Sequence, residues 1–225
     1  MIHVITWNVH GFVDASGKFS PEPVLRVLES MDSDLVALQE VEDRRWRGRH
    51  ALDWLADRGG WHAWAGPTLM RGDVHYGNAV LSRQPAVSVR RHELGMTGTE
   101  PRGLLEVEFE HGPGRLRLLA THLGLRRAER RRQVDRLLEV AGPAAEGRVD
   151  VLAGDFNEWL PRSGLLARLR GAFPAVTRGP TFPAHRPMFG LDRVWVRPAG
   201  ALAGFSVCRL GRGESDHLPV IASVR

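Results

Sequence analysis

The sequence predicts an α/β protein of two mixed, mainly antiparallel sheets packed face to face, with helices on the outside. Strand-like runs outnumber helical ones along the 225 residues. Many of them are joined by turns of hairpin length, and the clearest helical segments each carry one apolar face. These features favour packed sheets over a parallel doubly wound sheet.

In order, Ile2–Trp7 reads as a strand, and Ser20-Pro21 opens a helix, with proline suited to the first helical position. Val24, Leu25, Leu28 and Met31 recur there at helical spacing. Leu35–Gln39 reads as a buried strand and Ala51–Asp57 as a short helix. Trp61–Ala65, Ala79–Ser82 and Val87–Arg91 read as short strands broken by Gly-Pro, Gly-Asp and Gln-Pro turns. Leu104–Glu110 and Arg115–Thr121 flank His111-Gly112-Pro113-Gly114, a hairpin with a four-residue turn. Arg127–Val140 is helical, with Val134, Leu137, Leu138 and Ala141 as its apolar face. Val149–Ala153, Leu191–Val196, Gly204–Leu210 and Leu218–Val224 supply the remaining strands, with a helix near Gly164–Arg170.

No repeat, low-complexity tract or Ser/Pro-rich linker interrupts the chain, so one domain over residues 1–225 is expected. Composition is that of a globular protein, 43% apolar and 25% charged. The net charge of +5 invites a nucleic-acid reading. It is discounted because Lys18 is the only lysine, and an Ala-, Arg- and Gly-rich chain can reflect genome composition. Cys208 stands alone, which excludes an internal disulfide and is compatible with a reducing compartment. No apolar run approaches the length of a membrane span and no leader-like segment opens the sequence, so a cytoplasmic monomer is the expectation.

Function is signalled by six short polar clusters: Trp7-Asn8, Gln39-Glu40, Gly77-Asn78, Thr121-His122, Gly154-Asp155-Phe156-Asn157 and Ser215-Asp216-His217. Ile2–Thr6, Leu35–Leu38, Leu116–Ala120 and Val149–Ala153 precede four of them. If those runs lie side by side, Asn8, Glu40, His122, Asp155, Asn157, Asp216 and His217 converge on one rim, where ligand sites of α/β proteins gather. Carboxylates and carboxamides there suit a hard cation, and two histidines suit proton transfer. Each residue also has a plainer reading. Glu40 can be the first solvated residue after a strand, Asn8 a turn former, and His217 a structural histidine, though Asp192 offers an acid to orient it. Asp155 and Asn157 are two apart, so an extended chain would point both to one side and Phe156 into the core.

Thr6-Trp7-Asn8, Leu38-Gln39-Glu40, Gly77–Ser82, Thr121-His122-Leu123, Gly154–Asn157, Leu191-Asp192-Arg193 and Ser215–Pro219, taken in this order, resemble the endonuclease/exonuclease/phosphatase superfamily. That group includes deoxyribonuclease I, AP endonucleases, neutral sphingomyelinases and inositol polyphosphate 5-phosphatases. The resemblance spans Ile2 to Val224. It implies a four-layer α/β/β/α sandwich and a phosphodiesterase dependent on Mg²⁺, with Mn²⁺ as an alternative. By the same resemblance, Glu40 is the principal metal ligand, with Asn8 and Asp216 as close or water-mediated partners. His217 is the base that activates water, with Asp192 holding its tautomer. Asp155 and Asn157 orient the nucleophile and contact the phosphoryl oxygens, and His122 donates to a non-bridging oxygen. Asn78 and Arg102 are the candidates for holding the phosphate.

The implied substrate is a phosphodiester, in nucleic acid or in a phospholipid headgroup as in sphingomyelinase-like reactions. A non-catalytic binding module on the same scaffold is the rival of another class; it predicts loss of Glu40, Asp155, Asp192, Asp216 or His217, and all five are present. AP endonucleases usually carry an Asp two positions after the Trp-Asn asparagine, where this chain has His10, which speaks against an abasic-site substrate. His10 could line the metal site or contact substrate. Thr6–Gly11 together with Gly154–Trp159 also look like small uncharacterised bacterial members. Arg126–Arg132 reads as the solvated face of a helix, with a polyanion as the alternative partner, and Trp159 is close enough to the Asp155–Asn157 turn to line a cleft.

Overall fold

The computed structural model describes residues 1–225. In chain order it contains β1 (Ile2–Asn8), α1 (Glu22–Ser30), β2 (Leu35–Glu42), β3 (Arg45–Trp46), β4 (Arg49–His50), α2 (Ala51–Gly59) and β5 (His62–Arg71). There follow β6 (Val74–Ser82), β7 (Ser88–Glu93), β8 (Gly103–His111), β9 (Gly114–His122), α3 (Arg127–Ala141) and β10 (Arg148–Asp155). The chain closes with α4 (Gly164–Ala172), β11 (Ala175–Val176), β12 (Asp192–Arg197), β13 (Leu202–Val207) and β14 (Val220–Val224).

Two six-stranded sheets run β13-β14-β1-β2-β6-β5 and β11-β12-β10-β9-β8-β7. Each contains one parallel pair, β1 with β2 and β9 with β10. All other pairings within them are antiparallel. A parallel pair cannot be closed by a tight turn, and α1 and α3 supply the two crossovers.

Side-chain alternation along the strands sorts residues into three cores. Between the sheets, Val4, Ala37 and Val80 of the first meet Leu105, Leu118, Val151 and Val194 of the second. On the outer face of the first sheet, Val24, Leu28 and Leu55 of α1 and α2 cover Ile5, Trp7 and Leu38. On the outer face of the second, Val134, Leu137, Leu166 and Leu169 of α3 and α4 cover Leu119, Leu152 and Trp195. The result is a four-layer α/β/β/α sandwich.

Several boundaries differ from the sequence expectation. Gly66-Pro67 does not break β5, which continues to Arg71 through a bulge opposite β6. The hairpin at His111 is tighter than a four-residue turn, because His111 pairs with Gly114 and leaves only Gly112-Pro113 to turn. The strand expected over Gly204–Leu210 is shifted to Leu202–Val207, and Arg209–Gly211 forms a 3₁₀ turn. Pro21 precedes α1 as its N-cap rather than opening the helix. The β3–β4 hairpin and β11, each with strands of two residues, are too short for periodicity to detect.

The Arg run at the start of α3 is not uniformly solvated. Arg130 is buried, donates to the Leu125 carbonyl at 2.6 Å and pairs with buried Glu158 at 3.3 Å. Arg126, Arg127, Arg131 and Arg132 are exposed.

At the other end of α3, buried Asp150 of β10 accepts from Arg117 at 2.8 Å, Arg148 at 2.8 Å and Arg197 at 2.6 Å. Arg117 and Arg197 also donate to the Ala141 carbonyl at 2.7 and 2.9 Å, satisfying a helix-end group that has no partner within the helix. Asp150→Ala strands two buried guanidinium groups, and removing one member of such a network typically costs about 3–5 kcal/mol. A urea titration should show that loss; a change of a few tenths would mean that water replaces the carboxylate.

Candidate active site

Both parallel pairs end at one edge of the sandwich. Asn8 of β1 is in register with Gln39 of β2, and His122 of β9 with Asp155 of β10. The carboxyl ends of these strands therefore bring three predicted residues, Asn8, His122 and Asp155, together, as in open α/β sheets. Antiparallel β12 adds a fourth, because its first residue Asp192 is paired with Asp155.

Glu40 does not follow its strand. It lies inside β2 at a bulge between Leu38 and Val41, with φ +56°, a conformation costly for a residue with a Cβ. The bulge frees Glu40 from the ladder with β6 and leaves its side chain 24% exposed beside Asn8. Asn8 is buried and spans the two sheets through one amide nitrogen, which donates to Glu40 Oε1 at 2.8 Å and to Asp155 Oδ2 at 3.2 Å. Its Oδ1 accepts the His10 N–H at 3.1 Å. The chain's single tyrosine, Tyr76, is buried against the same carboxylate. Burial, reinforced by Glu40, raises its pKa.

Asp155 and Asn157 do not share a side by extended alternation. Asn157 has φ +48°, so the chain turns at that point, while Phe156 enters the core as expected. The turn is closed by the Asn157 N–H donating to Asp155 Oδ1 at 2.9 Å. Gly154 permits the approach, since a Cβ there would overlap the Thr121 carbonyl oxygen of the neighbouring parallel strand.

His217 is buried, and its Nδ1 lies 2.8 Å from Asp192 Oδ2. Its Nε2 faces Asp155 Oδ2 at 3.7 Å, too long for a direct hydrogen bond. Trp7 Nε1 donates to the His217 carbonyl at 2.9 Å, and Ser215 Oγ accepts the His217 N–H at 3.1 Å. Burial acts to lower the His217 pKa, but the Asp192 charge and hydrogen bond, with Asp155 and Asp216, carry it up to about 10. The Asp155 pKa is also raised, by burial and then by Asp192. Asp155, Asp192 and His217 present their ligand atoms within 4.8 Å of one another and can hold a metal ion.

His122 sits between two nitrogen groups. Its Nδ1 is 3.2 Å from Arg102 Nη1 and its Nε2 is 3.1 Å from Asn157 Nδ2. That carboxamide is fixed by donating to the Leu123 carbonyl at 2.9 Å. A neutral imidazole has one acceptor nitrogen, so the ring accepts from one of these donors and carries its N–H on the other nitrogen; Nε2 also lies 3.6 Å from Asp155 Oδ2. Burial, with Arg102 and His217 adding to it against Asp155, lowers the His122 pKa to about 3. The unfolded chain would take up this proton near pH 6.5, whereas the folded one resists until about pH 3. His122 therefore adds a stability that is complete above 6.5 and lost as pH falls, at about 1.4 kcal/mol per pH unit. His122→Gln should give a shallower acid limb in urea midpoints measured against pH; an unchanged limb would show that His122 is already charged in the fold.

Arg102 is buried beside His122 and pairs with Glu100 at 3.2 Å. Asn78 donates to the Gly103 carbonyl at 3.1 Å. Glu40, Tyr76, Asn78, Arg102 and His122 line one small pocket. Asp216 lies on the solvent side, 45% exposed, 3.5 Å from His10 Nδ1; that same nitrogen is 3.9 Å from Glu40 Oε2.

The model of the Endonuclease/Exonuclease/phosphatase family matches residues 5–217. The chain belongs to this family. It is 30% identical over 241 residues to the uncharacterized protein YbhP of Escherichia coli (strain K12), covering 98% of this chain and 95% of that one. An endonuclease/exonuclease/phosphatase from Beutenbergia cavernae superposes with a TM-score of 0.79 at 25% identity, over 98% of this chain and 70% of that one. TDP2 of D. rerio complexed with single strand DNA product does so with a TM-score of 0.69 at 19% identity, over 98% and 97%.

Three contributors to this Endonuclease/Exonuclease/phosphatase family site carry no sequence signal in isolation. Thr181 Oγ1 accepts the Leu191 and Asp192 N–H groups at 3.2 and 3.3 Å, fixing the start of β12. The Phe182 ring lies 4.8 Å from the His217 imidazole. Tyr76 packs against Glu40 from the middle of a strand. Trp159, 39% exposed, continues the rim against Phe182 and Phe189.

Proposed function

We infer that the protein is a divalent-metal-dependent phosphodiesterase with nuclease-like chemistry. The observation that carries this reading is the His217–Asp192 pair facing Asp155 across a gap too long for a direct bond, beside the Glu40–Asn8–Asp216 group. Glu40 and Asp216 present carboxylate oxygens that are partly open to solvent, which suits Mg²⁺ or Mn²⁺ and the waters such ions retain. As it stands, Asn8 turns its nitrogen to Glu40 and its oxygen to His10, so it would serve as a close partner that spans the sheets. When bound, the cation would stabilise charge on the phosphoryl and leaving oxygens and oppose the carboxylate field around His217.

The protein's own groups do the rest. Asp192 accepts the Nδ1 proton of His217, so that in the neutral imidazole Nε2 would be the atom that takes a proton from an attacking water. Asp155 Oδ2 faces the same gap and would orient that water. Asn157 and Arg102, on either side of the His122 ring, line the side where phosphoryl oxygens would lie. His122 is thus a positioning residue.

The DNA product bound by TDP2 supports a nucleic-acid substrate. Purified protein with Mg²⁺ or Mn²⁺ should hydrolyse bis(p-nitrophenyl) phosphate and single-stranded DNA. Turnover of phospholipid alone would redirect the reading to lipid headgroups, and no turnover of any diester would favour a binding module.

A further inference from the structure

On the far side of β12 from the interior of the sandwich, a second polar site is built into the outer layer. Asp192, Val194 and Val196 alternate with Arg193 and Trp195, whose side chains point the other way, beneath α4. There they line a cavity of about 850 Å³ with Arg162, Arg170 and Arg178. No carboxylate lines it, and none of the four arginines makes an ion pair. Two donors in its wall are buried without an acceptor: the indole Nε1 of fully buried Trp195, and Arg193 Nη1. Burial, aided by Arg170, lowers the Arg193 pKa against the pull of Asp192, Glu158 and Asp155.

Elsewhere the buried arginines of this protein are paired. Arg117 and Arg197 share Asp150, and Arg130 meets Glu158. Here the mostly buried Arg193 keeps an unpaired donor, and the exposed Arg162, Arg170 and Arg178 gather positive charge around the same concavity with no carboxylate beside them, an arrangement an anion would complete. The cavity is larger than a single ion needs, and Leu166, Val176 and Met188 give it an apolar wall. Beside His217 runs the aromatic rim of Phe182, Trp159 and Phe189, and the chain neighbours of Phe189, Met188 and Gly190, line the cavity. Aromatic faces leading to guanidinium groups suit a base followed by a phosphate.

We propose that the cavity formed by Arg162, Arg170, Arg178, Arg193 and Trp195 is a second phosphate-binding site, which takes a nucleotide-sized phosphate ester. Such a group is either a free phosphorylated ligand or a phosphate of a single strand running from the catalytic centre. The phosphodiesterase reading bears only on the identity of the anion; the grouping of unpaired arginines stands without it.

The test monitors the Trp195 indole N–H signal, assigned through its backbone, in ¹H–¹⁵N spectra of metal-free protein. Inorganic phosphate should shift it saturably, and Arg170→Glu with Arg178→Glu, both on exposed positions, should weaken that response at least about tenfold. Hexathymidylate separates the sources. A tighter, equally Arg-dependent shift means a polynucleotide strand, and a response to phosphate alone means a small phosphorylated ligand. A Trp195 signal unmoved by tens of millimolar phosphate, or moved equally in the double variant, overturns the site. Because this readout needs no turnover, a failed activity assay leaves it standing, and the reverse.

Discussion

Replacing Glu40 with glutamine is expected to abolish most phosphodiesterase activity while the protein remains folded. Glutamine keeps the shape of the side chain, so the bulge in β2 and the packing against Tyr76 survive. Asn8 Nδ2 can still donate to the remaining carbonyl oxygen in place of Oε1. What disappears is the negative charge of the partly exposed carboxylate that accepts from Asn8 Nδ2. Charge stabilisation of this kind supplies several kcal/mol to the transition state, so kcat should fall by about 10²–10⁴-fold. Mg²⁺ affinity should fall with it, which calorimetry measures without turnover. Part of the lost rate should return when Mg²⁺ is raised. Activity equal to the parent at both limiting and saturating Mg²⁺ would remove Glu40 from the site.

Much of this arrangement is legible in the sequence because the chemistry is concentrated at strand ends. The stretches Val4-Ile5, Leu118–Ala120 and Val151–Ala153 are apolar on both faces, as strands covered by a second sheet and a helix must be. The end of each run is the first place a polar side chain can sit, and Asn8, His122 and Asp155 appear there. The same logic misplaces Glu40. A one-residue bulge and a left-handed φ leave no trace in periodicity, so a carboxylate inside a strand reads as one just beyond it.

His122 shows a different limit. Its position is set by β9, but its role depends on what its two nitrogens face, and Arg102 and Asn157 arrive from remote segments of the chain. Thr181 and Phe182 have no local pattern, since they matter only through contacts with Asp192 and His217. The arginine cavity is dispersed over the segment before α4, α4 itself, β12 and the segment between α4 and β12, so composition shows the arginines without their grouping.

The second large effect should come from His217 and Asp192, acting as one unit. The structure brings them to 2.8 Å across 25 residues of sequence, with every approach fixed by backbone contacts: Thr181 at Asp192, and Trp7 and Ser215 at His217. General-base catalysis is worth about 10²–10⁴-fold, so His217→Ala should lower kcat by at least that much. Asp192→Asn should cost less. Its carbonyl oxygen can still accept from Nδ1, but the carboxylate charge that steadies the imidazole as it gains a proton is gone. The double variant should then be little worse than His217→Ala alone, because the second change acts only through a side chain already removed. Asp192 is buried and its Oδ1 lacks a partner, so a fold defect must be separated from a catalytic one. Circular dichroism melts of all three variants make that separation. If well-folded single variants give losses that multiply in the double variant, the two residues work independently. The proton acceptor would then be sought at Asp155, whose Oδ2 faces the same gap from the other side.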